Sequence, residues 1–191
     1  MIAVDTECDE EILQELRART FAATVQRLRK TAGLVVSDKV EIFYEDSAEK
    51  TGGINSVSAA MLRHSTSTVK RIKSLPLDLG LCSSRATVII RETITDADIS
   101  KAPITIVLTH PCIAVDTGAI TASGTVPSMA AMYLQSMSYD RVSSMSEVQV
   151  TIDKTPLTLK RGVHYFLSAN QMVLSPSFTD RAAFPNLPKE L

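Results

Sequence analysis

The sequence is poor in the residue types that build metal and disulfide sites. It has three cysteines and three histidines in 191 residues, and no CxxC pair occurs. The spacings do not resemble those of zinc ligands, so we expect no metal site, and free thiols in a reducing compartment are the simpler interpretation. The six residues are Cys8, Cys82, Cys112, His64, His110 and His164.

An excess of charge and a long apolar run are also missing. Lysine and arginine total 20 against 21 acidic residues, so the whole chain is not drawn electrostatically to nucleic acid or to a membrane. No apolar segment approaches the roughly 20 residues of a membrane-spanning helix, and no signal sequence precedes the first helix. We therefore expect a cytoplasmic protein with no membrane partner.

Motifs for catalysis are absent as well. The sequence has no glycine-rich phosphate loop, no GxSxG elbow and no HExxH helix. Scattered residues could still meet in space, but the sequence predicts no catalytic residue and no cofactor for this chain.

One long amphipathic helix is predicted from Asp9 to Gly33. Thr6 or Asp9 can cap it, acidic residues follow at its start, and cationic residues crowd its last turns before the glycine. Apolar residues recur at helical spacing, which indicates one buried stripe. These are Leu13, Leu16, Phe21, Val25, Leu28 and Ala32.

The segments around this helix predict an α+β fold that begins with a β-α-β-α-β unit. Residues 1–4 end a strand, 39–45 alternate as a second strand, 54–73 form a second helix and 86–94 form a third strand. Before residue 97 there are 13 basic and 14 acidic residues, against 7 of each after it. This change in charge density predicts a domain boundary, with residues 1–97 as the first domain and 96–103 as linker.

The second half predicts a β-grasp (ubiquitin-like) module over residues 98–175. Short strands are expected at 104–108, 112–115, 147–152, 156–159, 165–167 and 171–174, with one helix at 128–138. Three methionines lie on the apolar side of that helix: Met129, Met132 and Met137. They could pack in the core, or they could form an adaptable groove for a partner. The tail, 176–191, contains three prolines and is expected to be extended or disordered.

The candidate working surface consists of cations on the two N-terminal helices. If the helices lie side by side, their basic ends could form one patch that faces an RNA backbone, although cations at a helix end also simply complement the helix dipole. The candidate residues are Arg17, Arg27, Arg29, Lys30, Lys70, Arg71 and Lys73.

The first 45 residues resemble the C-terminal region of a eukaryotic or archaeal isoleucyl-tRNA synthetase. The residues that carry the resemblance are Asp5-Thr6, the helix start DEEILQELRART from Asp9, and the run QRLRKTAGLVVSDKVEIFYE from Gln26. Because that family continues upstream of this point, the resemblance implies a piece of a longer polypeptide. The HIGH-type and KMSKS-type signatures of the catalytic domain do not occur here.

The resemblance implies a non-catalytic segment that follows the anticodon-binding bundle of such an enzyme. The whole enzyme would activate isoleucine with ATP and Mg and transfer it to tRNA-Ile, so tRNA-Ile and the catalytic and anticodon-binding domains are the implied partners. Three roles compete: assistance in tRNA binding, docking onto other synthetases or scaffold proteins, and a structural cap on the anticodon-binding domain.

Overall fold

The protein has an α+β fold, as expected from its sequence. The computed structural model describes residues 9–47, 57–180 and 182. The helices are α1 (Glu10–Thr31), α2 (Val57–Arg63), α3 (Ser65–Ile72), α4 (Val126–Ser136), α5 (Tyr139–Ser143) and α6 (Ala169–Leu174). The strands are β1 (Glu41–Asp46), β2 (Pro76–Asp78), β3 (Val88–Ile94), β4 (Ile104–Thr109), β5 (Ala114–Val115), β6 (Glu147–Ile152), β7 (Thr155–Lys160) and β8 (Tyr165–Phe166).

The first helix confirms the prediction made from its caps. The Asp9 side chain accepts from the Glu11 amide at 3.2 Å, and Gly33 closes the helix with a φ of 72°. Leu16 is 43% exposed, so the buried stripe begins only at Ala18 and continues through Phe21 and its neighbours. Thr6 and the strand expected at residues 1–4 lie outside the described residues.

The second predicted helix is divided into two. Helices α2 and α3 are separated at His64, and Lys73 ends α3 with a φ of 60°. Serine and threonine dominate this segment and form helices poorly, so its continuity depends on tertiary packing. The start expected at residue 54 lies outside the described residues.

The central sheet has four strands in the order β2-β1-β4-β3. Strand β1 is parallel to β2 and antiparallel to β4, which also pairs antiparallel with β3. Strand β4 follows the expected linker at 96–103, yet it is an inner strand beside β1. The sheet therefore takes strands from both sides of residue 97.

The two faces of this sheet are covered by different parts of the chain. Helices α1–α3 cover one face, where Phe21, Leu28, Ile42 and Ile106 are fully buried in one apolar cluster. Helix α6 and the β5–β8 pair lie on the other face, where Phe43 belongs to a second cluster. The alternation of side chains along β1 sends its neighbouring residues to opposite faces.

A third apolar cluster lies under the β6–β7 hairpin. Helix α4 and helix α5 pack there, with Leu134, Val142 and Tyr165 fully buried. The strand at 147–152 matches its prediction, and the expected helix at 128–138 begins and ends two residues earlier. The more specific β-grasp arrangement stays a prediction, since β5 to β8 are distributed over two two-stranded sheets.

One expectation for the C-terminal residues was wrong. Residues 171–174 belong to helix α6 and not to a strand, because the Ser168 side chain caps that helix by accepting from the Gln171 amide. Within the expected tail at 176–191, Phe178 is 7% exposed and the Thr179 amide donates to Asp116 at 2.9 Å. Residues 181 and 183–191 lie outside the described residues, so the extended tail stays a prediction. Among the described helices, none is long and apolar enough to cross a membrane.

Candidate nucleic-acid interface

Helices α1 and α3 lie side by side and run in the same direction. Near the start of α1, Gln14 accepts from the Arg63 guanidinium at 3.5 Å. Farther along, the Gln26 side-chain amide donates to the Arg71 carbonyl at 2.7 Å. Since both pairs advance toward higher residue numbers, the C-termini of α1 and α3 lie at the same end of the helical layer.

Four exposed cations occupy this common end, which we call the basic end. Its members are Lys30, Lys70, Arg71 and Lys73. Lys30 is one turn beyond Gln26, or about 6 Å farther along the axis. None of the four forms an ion pair with another residue that the structure describes. The arrangement concentrates positive charge where both helix dipoles are negative.

Arg27 is exposed too, but it lies at the flank of the basic end. Its guanidinium pairs with Glu92 of β3 at 3.2 Å, which ties α1 to the edge of the sheet. The side chains of Arg27 and Glu92 remain 56% and 35% exposed. The charge of Arg27 is therefore partly balanced before any ligand arrives.

The two remaining candidates are not part of the basic end. Arg29 is 4% exposed, and its guanidinium donates to the carbonyls of Val35 and Asp38 at 3.0 Å each, so it closes the loop after α1. Arg17 lies in the first half of α1, where its side chain is 13% exposed and 3.5 Å from Glu10. Both residues were predicted from charge alone, and their burial distinguishes them from the four exposed cations of the basic end.

A cleft of about 320 Å³ adjoins the basic end. Lys73 lines it together with Lys39, which precedes β1, and with Tyr139 at the start of α5. A neighbouring cleft of about 240 Å³ shares Tyr139 and Pro111 and contains Arg85. The larger cleft lies where the central sheet meets α5 and α6, and the smaller cleft lies beside the end of α4 and the start of α5.

Glu41 connects the two halves of the chain at the floor of the larger cleft. It is 2% exposed, and its carboxylate accepts from the amides of Ala169 at 2.6 Å, Asn170 at 3.3 Å and Cys112 at 3.2 Å. Burial raises the pKa of Glu41, while these three amides act in the opposite direction. Its place beside Phe43 on the same, mixed face of β1 is the only sequence signal for this role.

Asn170 completes the same connection. Its side-chain oxygen accepts from the Leu75 amide at 2.7 Å, and its side-chain nitrogen donates to the Leu75 carbonyl at 3.2 Å. One amide side chain on α6 thus satisfies both backbone groups of a buried residue next to β2. This pairing spans 95 residues, so no local pattern in the sequence predicts it.

The cysteines near these clefts are not activated nucleophiles. Burial, with the nearby Glu41 charge, raises the pKa of the Cys112 thiol to about 12, and burial also raises the pKa of Cys82. Among the described residues, no cluster of histidine, cysteine and acidic side chains could hold a metal ion.

Helix α4 presents an exposed apolar surface. Met129, Met132 and Tyr133 are 42%, 59% and 42% exposed, whereas Met137 is half-buried against the third cluster. Two of the three methionines that the sequence left open between core and surface are thus mainly on the surface.

Comparison with known proteins supports the resemblance found in the first 45 residues. No protein-family model matches the chain. One known protein is similar to this chain over 92% of the chain's length. The match covers only 16% of that protein, so the chain spans less than a fifth of its length. At 28% identity over 195 residues, the chain is distantly similar to a region of the cytoplasmic isoleucine-tRNA ligase of Arabidopsis thaliana.

Proposed function

We propose that this chain is a non-catalytic C-terminal segment of a cytoplasmic isoleucine-tRNA ligase and helps that enzyme to hold tRNA. The observation that carries the proposal is the shared direction of α1 and α3, because it gathers Lys30, Lys70, Arg71 and Lys73 at one end. Lysine and arginine contacts to phosphates supply most of the sequence-independent affinity for RNA.

The similarity to the ligase supports tRNA-Ile as the RNA. The whole enzyme would activate isoleucine with ATP and Mg and transfer it to tRNA-Ile, while its catalytic and anticodon-binding domains would contact this segment. Because the chain as a whole is nearly neutral, the basic end would add a local contact to a tRNA that is held mainly elsewhere.

A role in protein docking is the alternative, and the α4 surface favours it. Met129, Met132 and Tyr133 combine exposed area with the adaptable packing of methionine, which suits a protein partner such as another synthetase or a scaffold. A structural cap on the anticodon-binding domain is the third possibility. It is supported by Ile12 and Leu16, which are 60% and 43% exposed on the first half of α1.

The test is fluorescence anisotropy of labelled tRNA-Ile and of a non-cognate tRNA, titrated with the chain at several salt concentrations. The test variant changes Lys30, Lys70, Arg71 and Lys73 to alanine. The matched control removes three exposed lysines and one exposed arginine elsewhere, and these are Lys101, Lys154, Lys160 and Arg141.

We expect the test variant to bind tRNA-Ile less tightly. Its salt dependence should also be shallower, by roughly one unit of slope for each cation that no longer reaches a phosphate. The control should bind as the unchanged chain does. Equal weakening in both variants would show only a net-charge effect and would contradict the proposal. Absence of tRNA binding at low salt would direct attention to the α4 surface and a protein partner.

A further inference from the structure

The cleft beside the basic end has the features of a site for a single nucleotide. We propose that it binds one unstacked nucleotide of an RNA strand, with the phosphate between Lys39 and Lys73 and the base against the ring of Tyr139. This inference rests on the proposed tRNA-binding role and identifies the kind of RNA contact that the segment makes.

The two lysines reach the cleft from separate elements. Lys73 ends α3 in a left-handed conformation, and Lys39 lies two residues before β1, which pairs in parallel with the strand after α3. Both are exposed, and neither forms an ion pair with another described residue. Two unpaired cations at the rim of one cleft suit the charge of a phosphate.

Tyr139 offers a fixed aromatic surface. Its ring is part of both clefts, and the residue is 40% exposed. Its hydroxyl donates to the Leu167 carbonyl at 3.1 Å, which restrains the ring from the α6 side. An exposed ring that is already held in place loses little freedom when a base stacks on it.

Polar groups for a base edge are also present. The Gln171 side chain lines the larger cleft and accepts from the Leu167 amide at 3.2 Å through its oxygen, which leaves its amide hydrogens for a ligand. The acidic residue of the cleft, Glu41, does not oppose a phosphate directly, because it is 2% exposed and both its oxygens accept backbone amides.

The shape favours a single strand over a duplex. A cleft of about 320 Å³ lies at the lower end of the range for small-ligand sites, which suits one nucleotide. The adjoining cleft of about 240 Å³ shares Tyr139 with the larger one and supplies Arg85 as another cation. Cations in two clefts that meet at one tyrosine match the alternation of phosphates and bases along a single strand.

The experiment compares a labelled single-stranded oligoadenylate with a fully paired RNA hairpin of equal charge, using fluorescence anisotropy and the full chain. The test variants are Tyr139→Ala and Lys39→Ala. Their controls are Tyr133→Ala, which removes a tyrosine of similar exposure on α4, and Lys101→Ala. Tyr139→Phe retains the ring and loses only the bond to Leu167.

We expect Tyr139→Ala to weaken oligoadenylate binding about fivefold to a hundredfold, as removal of one base-stacking ring does, and to leave hairpin binding unchanged. Tyr133→Ala should bind normally, Tyr139→Phe should lose much less affinity than Tyr139→Ala because it retains the ring, and Lys39→Ala should lower the salt slope by about 0.7. Equal binding by Tyr139→Ala and Tyr133→Ala would overturn the inference. So would equal losses for oligoadenylate and hairpin.

Two further outcomes separate this inference from the proposed function. If tRNA-Ile binds through the basic end while the oligoadenylate does not depend on Tyr139, the nucleotide site is wrong and the tRNA role stands. If the oligoadenylate binds in a Tyr139-dependent manner and tRNA-Ile does not bind, the site stands and the tRNA role falls. If neither RNA binds at low salt, both are wrong.

Discussion

The two faces of the central sheet differ in the hydrogen bonds that accompany their apolar clusters. On the helical face, Phe21 meets Tyr44 edge-on with ring centroids 5.5 Å apart, and two buried hydrogen bonds, Tyr44 with Ser58 at 2.7 Å and Ser100 to Asp46 at 3.1 Å, join residues 14 and 54 positions apart. On the opposite face, the apolar cluster is bordered by the hydrogen bonds of Glu41 and Asn170, which join residues about a hundred positions apart. Both faces therefore combine apolar packing with hydrogen bonds, and the hydrogen bonds of the opposite face join the more distant parts of the chain.

This difference matters for the candidate sites. The helical face orients α1 and α3 and so sets the position of the basic end. The polar border lies at the floor of the larger cleft, so the same groups that attach α6 also shape the proposed nucleotide site. Variants on the two faces should consequently differ in how much they lower the free energy of unfolding and in how that change varies with pH.

The largest effect is expected on the helical face from Phe21→Ala. Phe21 is fully buried, so its truncation should lower the free energy of unfolding by about 3–5 kcal/mol, because apolar area is no longer buried and a cavity is left behind. Urea unfolding measures the change. Ile12→Ala, on the exposed first half of the same helix, should shift stability by no more than about 0.5 kcal/mol. Equal effects from the two variants would contradict the division of α1 into an exposed and a buried half.

On the opposite face, Asn170→Ala should cost about 1–3 kcal/mol, because it leaves the amide and carbonyl of buried Leu75 without their partner. The same urea titration measures it. Gln149→Ala, at an exposed position in β6, provides the control and should be nearly neutral. An Asn170→Ala protein as stable as the control would show that water replaces the side chain and that the polar border is dispensable.

The pH dependence tests the charge in that border. Burial raises the pKa of Glu41, so the folded chain binds this proton more tightly than the unfolded chain does. The stabilisation that comes from protonated Glu41 is fully present below the ordinary glutamate pKa. It is lost as the pH rises through the raised pKa of the folded chain. The stability of the wild type relative to Glu41→Gln should therefore decline across this window, as measured by urea unfolding at several pH values. A relative stability that increases with pH would show that the three amides outweigh burial.

Local features were predictable from the sequence, and distant pairings were not. The caps and charges of α1 lie within a few residues of its ends, so its bounds followed from Asp9 and Gly33. The position of β4 inside the sheet depends on pairing across about 60 residues with β1, which periodicity does not encode. A short apolar run at 171–174 fits a strand or a helix equally well, and the Ser168 cap decides for α6.

The candidate site shows the same limit. Seven cations were predicted from charge, and the structure brings four of them to the basic end, because the shared direction of α1 and α3 is a tertiary property. Arg29 was wrongly included among the exposed cations. Its burial depends on carbonyls of the following loop, which the sequence pattern does not place. Lys39 and Tyr139 were missed because they meet only where α5 approaches the sheet. The domain division at residue 97 stays a prediction.

The smallest effect is expected at the surface of the helical layer, between Arg27 and Glu92. A double-mutant cycle with Arg27→Ala and Glu92→Ala should give a coupling of about 0.2–1 kcal/mol, because both side chains are largely hydrated. Salt should reduce this coupling further. A coupling well above this range, or one that salt does not change, would place the pair among the interactions that position α1. A weak coupling has a useful consequence: any loss of tRNA affinity in Arg27→Ala can then be assigned to the missing charge and not to a displaced helix.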